Sequence, residues 1–308
     1  MLAEAGIRAR RAENDQCLEL ARQAQRDAAR AADARLEALA LERMHIALTY
    51  MSRHDPDDVG HRALDAYRHL DDASGMARVL INLGIDAYFT ADWTEASKCY
   101  LEALEVAERS GNVVMAATAA INSAEILSDQ GAWHQAIDLL ESAHRNYEAV
   151  GYTAGIAAST LFTAIAAKRV GGLERADALF QSARADLERL SMADMIDELD
   201  AHHTDLQART GAATTDDCDS LIGRLGRGHS CIPRVLRARA LIQQRQADDP
   251  EPTLREALRL TPTASFERAL TLHALATMLP DSPMAEEWRD EADHTFQALG
   301  VHTPPPVL

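Results

Sequence analysis

The sequence predicts an all-α fold in which about seven antiparallel helix pairs stack into a superhelix, a solenoid with a roughly 40-residue repeat. Three observations predict it. First, only 15 Gly and 10 Pro occur in 308 residues and only 5% of residues are aromatic, which favours helix over sheet. Second, alanines recur with this same period in the middle of the chain. Third, apolar and small residues follow helical spacing within each repeat.

The period relates residues of the same type in consecutive repeats: Ala96, Ala136 and Ala176; Ala103, Ala143 and Ala183; Trp93 and Trp133. Small side chains are expected where two helices cross closely, because a larger one would hold their axes apart. The tryptophans open the second helix of their pairs. Their pattern fits packing at the turn, and a ligand-binding role is the alternative.

The breaks TADW, DQGAW and VGGL separate the two helices in each of the three middle pairs. The same alternation predicts outer pairs with weaker matches, namely 2–12 with 14–31, 34–50 with 57–71, 193–210 with 214–226, 231–246 with 250–260, and 263–279 with 283–299. The glycine-rich connection at 223–233 indicates a joint. We therefore expect regular repeats over 1–222, less regular pairs over 223–300 and a disordered tail at 301–308.

The spacing L80-x2-L83-G84-x2-A87, followed by A96-x3-Y100-x2-A103, resembles the tetratricopeptide repeat (TPR). The TPR period is about 34 residues, whereas HEAT and armadillo units run to roughly 40–47. The period alone favours the second group. The residue pattern at the helix crossings favours a TPR-like fold, since longer helices or connections can absorb the extra residues.

Two further strings, AEILSDQGAWHQA at 124–136 and TFQALGV at 295–301, resemble the C-terminal repeat region of large actinobacterial signalling proteins. Those proteins carry an adenylate cyclase or a LuxR-type DNA-binding domain with an NTPase module. The cyclase and NTPase motifs are absent from this sequence, so the resemblance implies a regulatory repeat region and no activity.

Composition narrows the class of partner. The formal net charge of −17 argues against a nucleic-acid surface, which depends on Lys and Arg. The N-terminal segment lacks the apolar core of a signal peptide, and no uncharged run is long enough to span a bilayer. The four cysteines are scattered without a C-x-x-C pair, so we expect a reduced, cytoplasmic setting.

No catalytic motif is evident, and neither an enzymatic activity nor a cofactor is expected. Two histidine clusters could hold a metal or could be solvated helix faces: Asp58, His61, Asp65 and His69; Glu198, His202 and His203. The basic run through Arg224, Arg234, Arg237, Arg239 and Arg245 could meet an acidic partner or a phosphate, or it could be a solvated face. Solvated faces are the simpler interpretation, so no metal site is predicted.

The TPR resemblance implies that the first helix of each pair lines a concave groove, which commonly holds a partner peptide. By register, the expected groove residues are Arg78, Asn82, Ile85, Phe89, Thr118, Asn122, Glu125, Asp129, Phe162, Ile165 and Arg169, with Ala158 beside them. Asn82 and Asn122 recur where TPR grooves bind a ligand backbone, although each could instead satisfy a neighbouring helix.

The expected function is a non-catalytic interaction or regulatory module that binds a protein or peptide partner, or another domain of a larger regulator. A small-molecule sensor is the alternative, and an apolar pocket around Tyr88, Phe89 and Phe162 would favour it.

Overall fold

The computed structural model describes residues 14–51, 57–226 and 228–307. Within these ranges the chain forms fifteen helices and no strand, which confirms the all-α prediction. The helices are α1 (Asn14–Arg30), α2 (Ala34–Tyr50), α3 (Val59–His69), α4 (Ala73–Phe89), α5 (Trp93–Arg109), α6 (Val113–Asp129), α7 (Trp133–Val150), α8 (Thr153–Arg169), α9 (Leu173–Arg189), α10 (Ala193–Thr210), α11 (Thr215–Leu225), α12 (Ile232–Arg245), α13 (Glu251–Leu260), α14 (Phe266–Met278) and α15 (Ala285–Ala298).

The helix bounds agree with the sequence expectations to within three residues, except that the helix expected at 2–12 lies outside the described residues. In the described part of the chain, the even-numbered helices α2 to α14 are the first helices of seven pairs. Consecutive helices pack on each other, as in α4–α5, α8–α9 and α14–α15. Adjacent first helices are also in contact, from α8 to α10, α12 and α14. This stacking of helix pairs is the architecture of a helical-repeat protein.

Short turns of one kind set the repeat. From α4 to α10 the helix starts are evenly spaced at half the repeat, and the residue two positions before each start has a positive φ. These residues are Asp71, Ala91, Gly111, Gly131, Gly151, Gly171 and Ser191. A residue in the left-handed conformation ends one helix, and the residue that follows it can cap the N-terminus of the next helix. The side chains of Asp72, Asp92 and Asn112 accept hydrogen bonds from the first turn of α4, α5 and α6.

Small residues lie at the helix crossings, as the repeated alanines predict. The six alanines of this set, from Ala96 to Ala183, are each at most 1% exposed. Gly84 also allows a close approach, since a Cβ there would lie 2.3 Å from Cε1 of Tyr100. Tyr67 and Tyr147 cover Gly75 and Gly155 in the same way. A methyl group at these glycines would therefore meet an aromatic ring.

The chain folds into two compact units, Met1–Asn122 (unit 1) and Ser123–Leu308 (unit 2). In the described part of unit 1, the core is built from α1 to α6 around residues such as Tyr67, Leu80 and Val106. Among the described residues of unit 2, a core forms around Leu161, Phe180 and Leu199, and a smaller cluster forms around Ile232. The joint expected at 223–233 falls inside unit 2, beginning in the last turn of α11 and ending in the first turn of α12.

None of the helices in the described ranges is both long enough and apolar enough to cross a membrane.

Candidate functional site

Charged side chains of the first helices in unit 2 meet in one network, in which Lys168 and His202 are buried and the other members are partly buried. It runs through α8, α10, α12 and α14, which contact one another in this order. Its members are Lys168, Glu198, His202, Asp205, Arg209, Arg234, Arg237 and Glu267. Buried charges are costly unless they are paired and hydrogen-bonded, so these residues form the chemically distinctive part of the unit.

Lys168 lies at the end of the network, on the last turn of α8. Its Nζ lies 2.5 Å from Oδ2 of Asp205 and 3.0 Å from Nδ1 of His202. Burial lowers the pKa of Lys168 to about 7, against the opposing charge of Asp205. Burial alone would raise the pKa of Asp205, but the charges of Lys168 and Arg209 hold it well below the ordinary value.

His202 links Lys168 to the rest of the network. Its Nε2 lies 3.0 Å from Oε1 of Glu198, and burial together with Arg234 and Lys168 lowers its pKa well below the ordinary value. A neutral ring that donates from Nε2 to Glu198 leaves Nδ1 to accept a hydrogen bond from Lys168. The network therefore fixes the tautomer of this histidine.

Arginines of α12 bridge carboxylates of α10 and α14. Arg234 donates to Glu198 at 2.7 Å and to Glu267 at 2.8 Å, and Arg237 donates to Glu267 at 2.5 Å. Burial opposes ionisation of Glu267, yet Arg237 and Arg234 lower its pKa to about 2. Arg237 also donates to the hydroxyl of Thr271. The carboxylates thus stay charged and hold three first helices together.

Glu125 and Asp129, on the last turns of α6, face the same network. Asp129 forms an ion pair with Arg169 at 2.5 Å, and both side chains are at most 9% exposed. Burial raises the pKa of Glu125 to about 8, and the negative charges of Asp129 and Glu198 add to this. Arg169 and Arg234 only partly oppose the effect. The raised pKa favours the protonated form of Glu125 at neutral pH, near the ion-paired Asp129.

Beside the network lies a cavity of about 60 Å³. Its charged wall is formed by Lys168, Arg169, His202, Asp205, Arg209, Arg234 and Arg237, and its apolar wall by Leu241, Leu270, Ala274 and Met278. Pro305, Pro306 and Val307 of the C-terminal segment also line it. The inner face of unit 2, meaning these walls on α8, α10, α12 and α14, is therefore covered by the chain's own C-terminal segment.

The sequence predicts a disordered tail at 301–308. The structure describes 301–307 and gives them contacts within unit 2. The backbone N–H of His302 donates to the carbonyl of Gln130 at 2.9 Å, and Nε2 of Gln130 donates to the carbonyl of Leu299 at 3.0 Å. Thr303 lies against Gly131. The segment after α15 thus returns to the turn between α6 and α7.

The expected groove residues of unit 1 differ from one another in their contacts and exposure. Arg78 donates twice to the buried Glu42, at 3.0 and 3.1 Å, and also to the hydroxyl of Tyr67. Asn82 and Ile85 are half-buried, whereas Phe89 is 68% exposed. Arg78 therefore contributes to an internal ion pair, and Phe89 is the most accessible apolar side chain of this ridge.

Thr118 and Asn122 follow on α6. The Thr118 hydroxyl donates to the carbonyl of Val114. The side-chain nitrogen of Asn122 is buried and has no hydrogen-bond partner among the described residues. This amide nitrogen therefore does not satisfy a neighbouring helix within the described ranges, which was one of the two roles expected for it.

In unit 2, Ile165 is buried and Phe162 packs on the same core. Within unit 1, Tyr88 stacks on Trp93 with 5.6 Å between ring centroids and contacts Phe89 edge-on. Trp93 is 4% exposed and donates to the carbonyl of Tyr88, which supports the packing interpretation of this tryptophan.

The histidine clusters are engaged in local contacts. His61 lies 2.6 Å from Asp58, and His203 lies 2.7 Å from Asp177. Among the residues that the structure describes, no group of three His, Cys, Asp or Glu side chains could hold a metal ion.

The arginines of the basic run are paired internally. Arg224 contacts Asp197 and Asp200, and Arg239 contacts Asp219. Arg245 donates to the carbonyls of Ala208 and Arg209 at the end of α10. Together with the hydrogen bonds of Arg234 and Arg237, these contacts join neighbouring helices. The arginines of the run therefore stabilise the fold, a role that differs from both the partner-binding surface and the solvated face considered from the sequence.

All four cysteines are buried and none is in a disulfide. Burial raises the pKa of Cys99 and of Cys218 to about 12, and it also raises that of Cys231. A buried thiol with a raised pKa is a poor nucleophile.

Comparison with known families gives one match. The family model described as soluble NSF attachment protein (SNAP) matches residues 58–192, which is less than half of the chain. None of the curated proteins compared with the chain matches it. The matched stretch contains α3 to α9 and includes all three middle repeats. The chain is thus similar to a family with a TPR-like helical fold, which agrees with its stacked helix pairs, and the match indicates no catalytic family.

The sequence pattern grouped Glu198 with His202 and, separately, Arg234 with Arg237, but it did not join the two groups. It did not single out Lys168, Asp205, Arg209 or Glu267. A signal for Lys168 was present, because α8 carries no charge before its last two residues. A charge at the end of an otherwise apolar first helix indicates a buried partner on the next first helix. The partner itself could not be named, because it lies on another helix pair, far along the chain.

Proposed function

We propose that the chain is a protein-interaction module whose inner face in unit 2 binds an extended segment of a partner protein. One observation carries this proposal: side chains of four successive first helices border a single cavity, and an extended segment of polypeptide already covers it. An inner face of this kind presents both paired charges and an apolar wall, which suits a peptide better than a compact ligand.

The similarity to the SNAP family supports the same class of function, because that family is described as attachment proteins. The cavity lining favours a protein partner over the small-molecule alternative, because a stretch of polypeptide, Pro305 to Val307, already lies against its apolar wall.

A regulatory setting belongs to the proposal as well. The resemblance of 124–136 and 295–301 to repeat regions of actinobacterial cyclase and LuxR-type regulators supports a cytoplasmic module of a larger regulator. The two segments are in contact, since Gln130 bonds to the carbonyl of Leu299. The negative net charge supports a protein partner over nucleic acid.

The test selects peptides from a random display library on the full-length protein and measures their affinity for two matched variants. Leu270→Asn alters the apolar wall of the inner face. Leu260→Asn makes the same change at a 42% exposed position on a second helix. We expect Leu270→Asn to weaken binding about tenfold, or about 1.4 kcal/mol, and Leu260→Asn to have no effect. Equal effects of the two variants, or no selected peptide, would refute the proposal.

A further inference from the structure

The C-terminal segment of unit 2 has the features of a bound ligand. After α15 the chain turns at Gly300, which has a positive φ, and bonds to the carbonyl of Gln130 through His302. Pro305, Pro306 and Val307 then line the cavity on the inner face. They contribute to no helix, and the segment follows the surface made by other elements.

The chemistry of the segment matches the wall that it covers. Leu241, Leu270, Ala274 and Met278 offer an apolar strip on α12 and α14, and the prolines and the valine offer apolar rings and methyl groups. Three consecutive prolines also restrict the backbone to extended conformations before binding. Such a segment loses little conformational entropy when it binds.

The contact between the C-terminal segment and the inner face suits replacement by a partner segment. Residues 304–306 are prolines and have no N–H to donate, so this part of the segment cannot be held by backbone N–H hydrogen bonds to the face. Its residues are half-buried or exposed, whereas Leu241 and Ala274 beneath it are buried. Removing the segment exposes a strip of apolar wall without breaking a helix.

We propose that the inner face of unit 2 recognises an extended, proline-rich apolar segment, and that residues 305–307 occupy it in cis until a partner segment of the same chemistry displaces them. This inference rests on the proposed function. It adds the chemical class of the partner segment and states that the C-terminal segment competes with that partner for the inner face.

The probe is a fluorescent peptide of sequence PPPVL, which repeats residues 304–308, with AAAVL as its control. Fluorescence anisotropy measures its affinity for the full-length protein and for a variant carrying Pro305→Gly and Val307→Gly, which weakens the cis segment at full chain length. Because the cis segment reduces the competent fraction, we expect the probe to bind this variant about tenfold more tightly than the wild type. AAAVL should bind both proteins more weakly than the probe does.

Substitutions at two glycines of the repeat turns give an independent test of the competition, one as the test variant and one as its control. Gly131 and Gly171 have φ values of +92° and +90°, so alanine strains the backbone equally at both. A Cβ at Gly131 would lie 2.6 Å from the carbonyl oxygen of Thr303, whereas at Gly171 it would meet nothing within 4 Å. The probe begins after Thr303, so the clash affects only the cis segment. Gly131→Ala should therefore raise the affinity for the probe, and Gly171→Ala should not.

Each outcome decides the inference once circular dichroism shows that the variants fold. Equal probe affinity for wild type, the double variant and Gly131→Ala would show that the segment does not compete, and would overturn it. No binding to any of them, or binding that Leu270→Asn does not weaken, would overturn it as well. In those cases library peptides that bind wild type and lose affinity with Leu270→Asn would still support the proposed function.

Discussion

Replacing Glu125 by glutamine tests the electrostatics of the inner face. Glu125 lies near Asp129 on its own helix, Glu198 on α10, Arg169 on α8 and Arg234 on α12. Burial raises its pKa from 4.5 to about 8, and the two carboxylates add to the shift. Glutamine keeps the shape of the protonated side chain and cannot ionise. We expect Glu125→Gln to stabilise the fold at neutral and alkaline pH.

The magnitude follows from proton linkage, in which one pKa unit corresponds to about 1.36 kcal/mol. At pH 7 the unfolded chain has lost the Glu125 proton, and folding must take it up again. With a folded pKa of about 8, this uptake costs up to about 3 kcal/mol at pH 7. Because effective dielectric screening reduces such terms, we expect a gain in unfolding free energy of about 1–3 kcal/mol.

The sign depends on pH. Between pH 4.5 and about 8 the folded state holds more protons than the unfolded state at this site, so the wild type loses stability as pH rises through this window. Glutamine has no such loss. The difference between variant and wild type should be near zero below pH 4.5 and should reach its maximum above about pH 8.

Urea denaturation followed by circular dichroism at several pH values measures this difference. Glu267→Gln is the matched control, because Arg237 and Arg234 lower the pKa of Glu267 to about 2. The same substitution there leaves Arg237 without its carboxylate partner and Arg234 with Glu198 alone, and it should destabilise the protein by about 3–5 kcal/mol. A stability difference for Glu125→Gln that does not grow between pH 4.5 and about 8 would refute the reasoning.

Four substitutions test the packing and the capping of the repeats by thermal melting. Gly84→Ala should destabilise the protein by about 1–3 kcal/mol, since its Cβ would lie 2.3 Å from Tyr100. Gly223→Ala in α11 has open space around the Cβ and should stabilise the protein by about 0.5–1 kcal/mol. Equal effects of the two substitutions would contradict the close approach at Gly84. Ala96→Leu should overpack a crossing and cost about 1–3 kcal/mol, and wild-type melting would show that Ala96 is not at one. Asp92→Ala removes the cap of α5 and should cost about 1 kcal/mol; an unchanged melting temperature would show that this bond is not stabilising.

The helices and their packing alanines could be predicted from the sequence. Periodicity along one helix is a local property, and small residues at a fixed period report the closeness of two neighbouring helices. The sequence also contains a period of half the repeat, at the turns between helices. Glycines mark it at positions 111, 131, 151, 171 and 211. The pattern is incomplete, because three turn residues adopt a positive φ without being glycine: Asp71, Ala91 and Ser191.

The surroundings of the expected groove residues could not be predicted. Register places Arg78 and Arg169 on first helices, but it does not reveal that Glu42 and Asp129 neutralise them. Charges of opposite sign stabilise each other only when folding brings them within a few ångströms and removes water. A one-dimensional pattern contains neither distance nor burial.

By itself the sequence determined an all-α chain of stacked helix pairs, because helix periodicity, turn residues and crossing alanines act over one or two neighbouring helices. Tertiary structure alone decided that Lys168, Glu198, Arg234 and Glu267 form one network. It also placed Pro305 to Val307 across the inner face of unit 2. The physical reason is the same in both cases: each contact joins residues remote along the chain, and its free energy comes from burial and pairing that exist only after the helices have stacked.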